Sequence, residues 1–252
     1  HNDHRREMTE YGLIGYPLGH SFSQAFFRRK FADEGIDADY LNFEIAEVGA
    51  LREIVASHPN LRGLNCTIPH KQAVMALLDA LHPDAEAIGA VNTIKIADGR
   101  LIGYNTDCVG FEESLKPLLR PCHMHALVLG TGGASKAIVF ALRRLGIEPT
   151  YVSRNPRNGA LAYSDLTPEV MAENKLIVNC SPVGMYPKTD CAPEIPYRSL
   201  TRDHLLYDLV YNPEITRFMA LGRKWGATVK NGQEMLERQA LESYRIWTTN
   251  DI

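Results

Sequence analysis

The stretch His125–Arg157 constrains the fold of this 252-residue chain more than any other part of it. The apolar run Ala126–Leu129 predicts a buried strand, and the glycine-rich segment Gly130–Ser135 follows it directly. Lys136–Leu145 then carries apolar residues at helical spacing, and Thr150–Val152 predicts a second strand. A strand, a glycine turn, a helix and a strand in this order are typical of the βαβ unit of an α/β fold.

The glycine turn predicts a binding site for the pyrophosphate of a dinucleotide. Glycine allows both a tight turn and a close approach of phosphate to the backbone N–H groups at the start of a helix. The pattern alone is weak, since Ser135 stands where Gly or Ala is usual, and an ordinary helix-start turn is the alternative. The flanking strand and helix arrive in the order that favours the nucleotide interpretation.

The residues after the second strand indicate which dinucleotide is bound. An NAD site usually has an acidic residue here, which accepts a hydrogen bond from the ribose 2′-OH. This chain has Ser153-Arg154-Asn155-Pro156-Arg157 instead. Guanidinium groups bind phosphate through charged, often bidentate, hydrogen bonds, so Arg154 and Arg157 favour NADP. A solvated basic turn is the alternative.

Composition excludes several other classes of protein. The formal net charge is −3 with both signs interspersed, which gives no reason to expect a nucleic acid or an anionic membrane as partner. We find no apolar run near the ~18 residues of a membrane span and expect no secretory signal. The five cysteines form no CxxC pair, which predicts reduced thiols in a cytoplasmic protein. We expect His123 and His125 to be surface residues rather than metal ligands, and we place His1–Glu7 outside the fold.

The rest of the chain alternates strands with helices, which predicts mainly parallel pairing. Before the glycine turn we predict strands at Tyr11–Tyr16, Asp39–Ile45 and Gly63–Thr67, helices at Ser21–Glu34, Val48–Ala56 and Lys71–Leu81, and a hairpin of Val91–Ile96 with Leu101–Tyr104 around Asp98-Gly99. Beyond it we predict strands at Leu176–Cys180 and Leu205–Leu209, and helices at Ile215–Trp225 and Met235–Trp247.

This order predicts an α/β protein of two domains. The first is an α/β domain with a mainly parallel sheet near residues 8–106, and the second is a Rossmann-type domain near 107–231. No further strand follows the last helix in our prediction, so the pattern alone lets this helix cover either domain.

Several polar residues lie where predicted strands end, which is where α/β proteins usually bind their ligands. Ser21 and Ser23 flank the start of a helix, and their hydroxyl groups could bind a small carboxylate or simply cap the helix. Lys71 lies near a predicted helix start, and Asp107 follows the hairpin. Taken alone, the lysine could be a solvated charge and the aspartate an N-cap.

Seven short segments along the chain match one enzyme family in sequence and in order. They are GYPLGHSFS (Gly15–Ser23), NCTIPHK (Asn65–Lys71), GAVNT (Gly89–Thr93), GYNTDCVG (Gly103–Gly110), GTGGAS (Gly130–Ser135), YDLVY (Tyr207–Tyr211) and NGQEMLERQA (Asn231–Ala240). On these segments, from Tyr11 to about Trp247, the chain closely resembles the shikimate dehydrogenase family.

The resemblance implies an activity and an architecture. The family reduces 3-dehydroshikimate to shikimate with NADPH, on the route to the aromatic amino acids. It has a substrate-binding domain, an NADP-binding Rossmann-type domain and an active site in the cleft, and its last helix, here within 232–252, returns to the first domain. We expect a cytoplasmic monomer or homodimer. A relative that also uses quinate is the nearer alternative, which the basic turn disfavours. A sensor that binds NADP without catalysis is the other, and the presence of Lys71 and Asp107 argues against it.

The resemblance also assigns roles to residues of the substrate site. It implies that Lys71 and Asp107 are the catalytic pair, and that Ser21 and Ser23 bind the substrate carboxylate. The ring hydroxyls and the adjoining pocket are assigned to Thr67, Asn92, Tyr211 and Gln239.

For the cofactor, the resemblance assigns the pyrophosphate to the loop Gly130, Thr131, Gly132, Gly133, Ala134 and Ser135, the 2′-phosphate side to Ser153, Arg154 and Arg157, and the nicotinamide end to Gly232, near Tyr211. The chain departs from the family pattern after the second strand, because Asn155 replaces a threonine and the second arginine comes one residue early. We also expect a shortened helix there, since Gly159–Ser164 leads quickly to Asp165.

Overall fold

The chain forms two sheets in the computed structural model, which describes residues 8–250. The described chain divides into two compact units. Unit 1 comprises the residues up to Thr106 and those from Ala240 onward, and unit 2 comprises Asp107–Gln239. The leader assigned to His1–Glu7 lies outside the described residues.

Unit 1 contains a six-stranded mixed sheet. Its strands are β1 (Thr9–Gly15), β2 (Ala38–Glu44), β3 (Leu61–Cys66), β4 (Ala80–Leu81), β5 (Thr93–Ala97) and β6 (Arg100–Tyr104), in the order β2-β1-β3-β5-β6-β4. Strand β5 runs antiparallel to both β3 and β6, and the other pairs are parallel. The helices are α1 (Phe22–Glu34), α2 (Leu51–Ser57) and α3 (Pro83–Ile88), with short 3-10 helices at Val48–Ala50 and Ala73–Leu77.

Unit 2 contains a five-stranded parallel sheet. Its strands are β7 (His125–Leu129), β8 (Glu148–Val152), β9 (Leu176–Asn179), β10 (Leu205–Asp208) and β11 (Thr228–Lys230), in the order β11-β10-β9-β7-β8. The helices are α4 (Asp107–Leu115), α5 (Gly133–Arg144), α6 (Pro168–Glu173) and α7 (Arg217–Lys224), with 3-10 helices at Lys116–Leu118, Tyr163–Asp165 and Tyr197–Ser199. Helix α8 (Gln233–Thr248) begins in unit 2, and its residues from Ala240 onward belong to unit 1. The predicted fold class, with a mainly parallel first sheet and a Rossmann-type second sheet, is confirmed.

The end of helix α8 completes the aromatic core of unit 1. The Trp247 ring stacks on Tyr11 with 4.8 Å between centroids, and its Nε1 donates a hydrogen bond to the Ile94 carbonyl oxygen at 3.0 Å. A Cβ atom at Gly63 would lie 2.3 Å from the indole, so only glycine at this position of β3 leaves room for the ring. The predicted return of the last helix to the first domain is thereby confirmed.

The helix predicted over Lys71–Leu81 is wrong. The structure has a 3-10 helix at Ala73–Leu77, and the chain then extends into strand β4. The Asp79 N–H donates a hydrogen bond to the Leu101 carbonyl oxygen at 2.8 Å, which draws the segment to the edge of the sheet. This long-range pairing overrides the helical spacing of the apolar residues.

The elements outside our predictions include α3 and β11. Helix α3 had a local signal, because Pro83 occupies its first position and Gly89, with a φ of 78°, ends it. Strand β11 spans only Thr228–Lys230 and has no such signal. In the part of the chain that the structure describes, no helix is both long and apolar enough to cross a membrane.

The expectation that His123 is a surface residue is wrong, whereas His125 is exposed as expected. His123 Nδ1 accepts a hydrogen bond from the Arg120 N–H, and Nε2 donates to the Asp203 carbonyl oxygen, both at 2.9 Å. Burial lowers the pKa of His123, so the ring is held neutral. Across residues 8–250, no group of three or more His, Cys, Asp or Glu side chains could hold a metal ion.

Candidate functional site

Ser21 and Ser23 lie at the start of helix α1, beyond the carboxyl end of β1. Ser21 Oγ accepts a hydrogen bond from the Gln24 N–H at 3.1 Å and donates to Asn42 Oδ1 at 3.2 Å. Ser23 hydrogen-bonds to the hydroxyl of Tyr40, whose pKa is raised by burial, so the phenol stays protonated. Ser21 is therefore the N-cap of α1. The carboxylate-binding role of both serines stays a prediction.

A buried network of amides and hydroxyls continues from Tyr40 into the sheet of unit 1. We call it the amide–hydroxyl network; its members are Asn65, Asn92, Thr93, Thr106 and Ser243. Asn65 Oδ1 accepts from the Tyr40 hydroxyl at 2.8 Å, and its Nδ2 donates to Ser243 Oγ at 3.0 Å. Ser243 Oγ also lies 2.7 Å from Thr93 Oγ1. Because an unpaired buried donor or acceptor would be costly, these mutual bonds fix the orientation of each side chain.

The same network fixes the backbone that leads into Asp107, and a separate backbone hydrogen bond holds Lys71 close to it. Asn92 Nδ2 donates to Thr106 Oγ1 at 2.9 Å, and Asn92 Oδ1 accepts from the Thr106 N–H at 2.7 Å. Thr106 directly precedes Asp107. The Val91 N–H donates to the Lys71 carbonyl oxygen at 2.8 Å, one residue before Asn92. The structure therefore brings the backbone of Lys71 beside the predicted substrate residue Asn92.

Thr67 follows the end of strand β3 and is packed tightly against its neighbours. Its N–H donates to the Ile14 carbonyl oxygen at 3.0 Å, and a Cβ at Gly15 would lie 2.5 Å from Thr67 Cγ2. Burial raises the pKa of the adjacent Cys66 thiol to about 12, although the Lys71 ammonium group acts to lower it. The thiol is therefore protonated, and the Lys71 ammonium lies within electrostatic reach of this strand end.

A cavity of about 780 Å³ lies at the carboxyl end of the sheet in unit 2. Its wall includes the predicted cofactor residues Gly130, Thr131, Ser153 and Arg154, together with much of the loop Ser181–Glu194. The remaining predicted members, Gly132, Gly133, Ala134, Ser135 and Arg157, are not part of this wall. The structure thus brings the two predicted ends of the nucleotide site, the glycine turn and the basic turn, to one cavity.

The glycine turn has room for a ligand where side chains would otherwise be. Gly130 has a φ of 101°, and a Cβ there would lie 3.2 Å from the Ser181 N atom. A Cβ at Gly132 or Gly133 would meet nothing within 4 Å, so the protein itself does not require glycine at these positions. Ser135 is buried, and its Oγ donates to the Gly132 carbonyl oxygen at 2.6 Å. The first N–H groups of α5 follow directly, and the N-terminus of a helix is a position at which proteins commonly bind phosphate.

The basic turn is a closed loop rather than the start of a helix. The Ser153 N–H donates to the Leu161 carbonyl oxygen at 2.9 Å, which brings the chain back beside β8. Where we expected a shortened helix, the structure has the 3-10 helix at Tyr163–Asp165 and then the six-residue helix α6. Both Arg154 and Arg157 are exposed, and the Arg154 guanidinium acts to lower the pKa of the Tyr163 phenol, which burial raises.

Sequence reasoning missed a buried carboxylate, Asp208, at the end of β10. Its Oδ1 accepts hydrogen bonds from Asn179 Nδ2 at 3.1 Å and the Val210 N–H at 3.0 Å, and its Oδ2 accepts from Thr216 Oγ1 at 2.7 Å. Burial raises its pKa to about 6 despite these donors. The signal was available, because an aspartate within an apolar strand is costly unless donors surround it.

The remaining predicted residues, Gly232, Tyr211 and Gln239, differ in how tightly they are packed and how exposed they are. A Cβ at Gly232 would lie 2.0 Å from the Leu209 carbonyl oxygen, so packing alone requires glycine there. Tyr211 is 42% exposed, whereas Gln239 is buried. A Cβ at Gly110 of helix α4 would lie 3.0 Å from the Gln239 N atom, which shows how closely α8 approaches α4 within unit 2. The roles assigned to Tyr211, Gly232 and Gln239 stay predictions.

Comparisons with known proteins agree with this architecture. A family model described as the shikimate dehydrogenase substrate binding domain matches residues 13–94. The shikimate dehydrogenase (NADP(+)) of Methanococcus maripaludis is 38% identical over 254 residues, which cover 94% of this chain and 91% of the relative. Shikimate 5-dehydrogenase from Thermus thermophilus, solved in complex with NADP(H) and shikimate, is 35% identical with a TM-score of 0.84, covering 96% of this chain and 94% of that one.

A further solved structure broadens the range of substrates among similar proteins. The ligand-free form of 5-ketofructose reductase from Gluconobacter sp. strain CHM43 is 29% identical, with a TM-score of 0.84. The match covers 96% of this chain and 93% of that one. The resemblance seen in the seven sequence segments is confirmed across nearly the whole chain, which belongs to the shikimate dehydrogenase family.

Proposed function

We propose that this chain is an NADP-dependent shikimate dehydrogenase, which interconverts 3-dehydroshikimate and shikimate. The observation that carries the proposal is the amide–hydroxyl network, which orients Asn92 and fixes the backbone immediately before Asp107, with Lys71 held beside Asn92 by a backbone hydrogen bond from Val91. The 38% identity to a shikimate dehydrogenase (NADP(+)) over 94% of this chain supports the same activity.

The substrate is held by residues that match its polar groups. Ser21 and Ser23 bind the carboxylate through their hydroxyls at the N-terminus of α1, where the helix dipole favours an anion. Thr67, Asn92 and Gln239 hold the ring hydroxyls, which need groups that can both donate and accept hydrogen bonds, and Tyr211 adjoins this pocket at the nicotinamide end.

The proton chemistry belongs to Lys71 and Asp107. As the ring ketone is reduced, negative charge grows on its oxygen, and the Lys71 ammonium group stabilises that charge. Asp107 orients the ammonium group and accepts a hydrogen bond from the substrate hydroxyl, so the pair delivers a proton in reduction and removes it in oxidation. Lys71 and Asp107 thus act together as acid and base at the same substrate oxygen.

The residues of unit 2 fit the cofactor that this reaction needs. The open space at Gly132 and Gly133, with the N–H groups that begin α5, would take the pyrophosphate, and Thr131, Ala134 and Ser135 complete that loop. Arg154, assisted by Ser153 and Arg157, would bind the 2′-phosphate, and Gly232 would adjoin the nicotinamide end. When bound, NADPH supplies the hydride.

We propose further that residues 8–106 with 232–252 serve the substrate and that 107–231 serve the nucleotide. The five cysteines are free thiols, which supports a reducing compartment such as the cytoplasm. We expect a monomer or a homodimer, and chromatography with light scattering would distinguish the two.

The decisive experiment compares substrates and nucleotides on the purified chain. We expect NADP reduction with shikimate to have the highest kcat/KM, above quinate with NADP and above shikimate with NAD. Reduction of 5-ketofructose by NADPH tests the activity named for the Gluconobacter neighbour. Equal use of quinate would assign the chain to the quinate/shikimate alternative. Binding of NADP without turnover of any of these substrates would assign it to the sensor alternative.

A further inference from the structure

Asp208 is the buried charge in unit 2 that the proposed reaction does not use. It is fully buried, and its three described donors, Asn179 Nδ2, the Val210 N–H and Thr216 Oγ1, are all neutral. A carboxylate removed from water without a cation is costly, so its retention at this position calls for a function beyond packing.

The hydrogen bonds that run from Asp208 through Asn179, which we call its first arm, reach the wall of the nucleotide cavity. Asp208 and Asn179 are register partners on adjacent strands. Asn179 Oδ1 accepts from both the N–H of Ser181, at 3.1 Å, and its Oγ, at 2.6 Å, and Asn179 Nδ2 donates to the Val183 carbonyl oxygen at 3.3 Å. Ser181 and Val183 both line the cavity. Asn179 therefore transmits the position of the carboxylate to the turn that follows β9.

The second arm reaches the segment that follows β10. The bond from the Val210 N–H to Asp208 Oδ1 fixes the backbone directly before Tyr211. The two loops are also joined further out, where the Tyr186 N–H donates to the Asn212 carbonyl oxygen at 3.0 Å. The carboxylate is thus the buried point at which both loops are attached.

We propose that Asp208 is a positioning residue for the nucleotide. Acting through Asn179 and Val210, it holds the turn Ser181–Gly184 and the backbone before Tyr211 in the arrangement that binds NADP. This inference rests on the proposed function and deepens it, because it assigns affinity for the cofactor to a side chain that never touches the cofactor.

The test uses four variants of the full chain. Asp208→Ala removes the acceptor, and Asn179→Ala breaks the same arm without altering the carboxylate. Asp208→Asn is the conservative variant, because its Oδ1 still accepts from Asn179 and Val210 and its Nδ2 can donate to Thr216 Oγ1. The matched control is Tyr207→Phe, which removes a buried 2.6 Å hydrogen bond to Ser114 from the neighbouring residue of β10, on the other face of the sheet.

Three quantities are measured for each variant: the Kd of NADP by calorimetry, the KM of shikimate at saturating NADP, and Tm. We expect Asp208→Ala and Asn179→Ala to raise the Kd roughly tenfold or more, since each removes bonds of a charge-assisted network. Asp208→Asn and Tyr207→Phe should stay within about threefold of the unaltered chain, and in all four variants the KM of shikimate should change less than the Kd of NADP.

Normal NADP affinity in both Asp208→Ala and Asn179→Ala would overturn the inference. The inference would also be overturned if these variants lost no more NADP affinity than Tyr207→Phe while their Tm fell equally, because the effect would then reflect general destabilisation. If Asp208→Ala does not fold, Asn179→Ala decides the question alone. Failure of the unaltered chain to bind NADP would overturn the proposed function, and the inference with it.

Discussion

Each unit contains a buried polar network, and the two are built from different chemistry. In unit 1 the amide–hydroxyl network consists of neutral groups that bond to one another across β3, β5 and α8. In unit 2 one carboxylate, Asp208, gathers three donors from β9, from its own strand end and from Thr216 before α7. Both hold residues of the candidate site in place, but only the second contains a titrating group.

The two networks should respond differently when one of their members is removed. Amides and hydroxyls both donate and accept, so a neutral network can lose one member and still offer its neighbours other partners. A single acceptor has no substitute, and burial raises its pKa to about 6, which makes its charge sensitive to pH. We therefore expect graded effects from substitutions in unit 1 and concentrated effects at Asp208.

The largest effect is expected at Lys71, which belongs to neither network. Lys71→Ala should lower kcat by ~10²–10⁴, because it removes both the cation and a proton donor from the reacting oxygen. The free energy of unfolding should stay high enough to keep the variant folded. Steady-state kinetics and urea unfolding measure the two quantities. A variant with near-normal kcat would contradict the catalytic assignment.

The second prediction concerns the pH dependence of stability. The folded-state pKa of Asp208 is about 6, above the ~3.9 of an unfolded chain, so the folded state binds more protons between these values. The contribution of this group to stability therefore falls as pH rises from about 4 to 6. Asp208→Asn does not titrate, and its unfolding free energy relative to the unaltered chain should rise by on the order of 2–3 kcal/mol across that range. A difference independent of pH would show that the charge is not buried.

The third prediction separates function from stability in unit 2. Arg154 is exposed, and a charged hydrogen bond to the 2′-phosphate is worth ~1.5–3 kcal/mol, so Arg154→Ala should weaken NADP by roughly one to two orders of magnitude. The KM of NAD and the Tm should barely change. Arg157→Ala serves as the matched variant and should have a smaller effect. Equal losses for NAD and NADP would mean that Arg154 supports the loop instead of binding the phosphate.

The fourth prediction tests how far the neutral network tolerates the loss of a member. Ser243→Ala deprives Asn65 Nδ2 and Thr93 Oγ1 of a partner and should lower the free energy of unfolding by about 1–2 kcal/mol. The KM of shikimate should rise modestly, because Asn65 and Thr93 also contact Asn92. Leu241→Ala, at an exposed position of the same helix, is the control. Stability equal to that of the control would contradict the role of Ser243.

The smallest effects are expected at the two serines. Ser21→Ala and Ser23→Ala should each raise the KM of shikimate more than they lower kcat, because the carboxylate does not change charge in the reaction. Both should also destabilise the chain by about 1 kcal/mol, since Ser21 caps α1 and Ser23 hydrogen-bonds to the buried Tyr40 hydroxyl. If the affinity for shikimate were unchanged in both, capping would be the whole role of this stretch.

The sequence was most informative where the determinants are local. The parallel strands of unit 2 follow from short apolar runs such as Ala126–Leu129, and the hairpin turn follows from Asp98-Gly99, whose φ values of 51° and 75° suit these residues. The segment Lys71–Leu81 was predicted wrongly because its conformation depends on a hydrogen bond to Leu101, which no local pattern encodes.

The residues of the candidate site likewise divide into those that short segments identify and those that depend on contacts distant in sequence. Lys71, Asp107 and the glycine turn could be named from short segments. In the structure, Gly130 and Thr131 of the glycine turn line the cavity of unit 2, and Thr106, directly before Asp107, belongs to the amide–hydroxyl network. Ser243 could not be named, because a serine on an amphipathic helix gives no sign that it will meet Thr93 across the sheet. Asp208 stood in an apolar run and could have been recognised as a buried group that needs donors.

The packing of Trp247 on Gly63 has a consequence for the way the protein is made. Chains emerge from the ribosome N-terminus first, and domains fold as units once they are complete. Unit 2 is continuous in sequence, whereas the core of unit 1 needs residues from Ala240 onward. Although its strands are synthesised first, unit 1 must therefore keep the face of β3 beside Gly63 uncovered until the rest of the described chain has been translated. Of the two units, the one whose strands are synthesised earlier is therefore the one whose core is completed later.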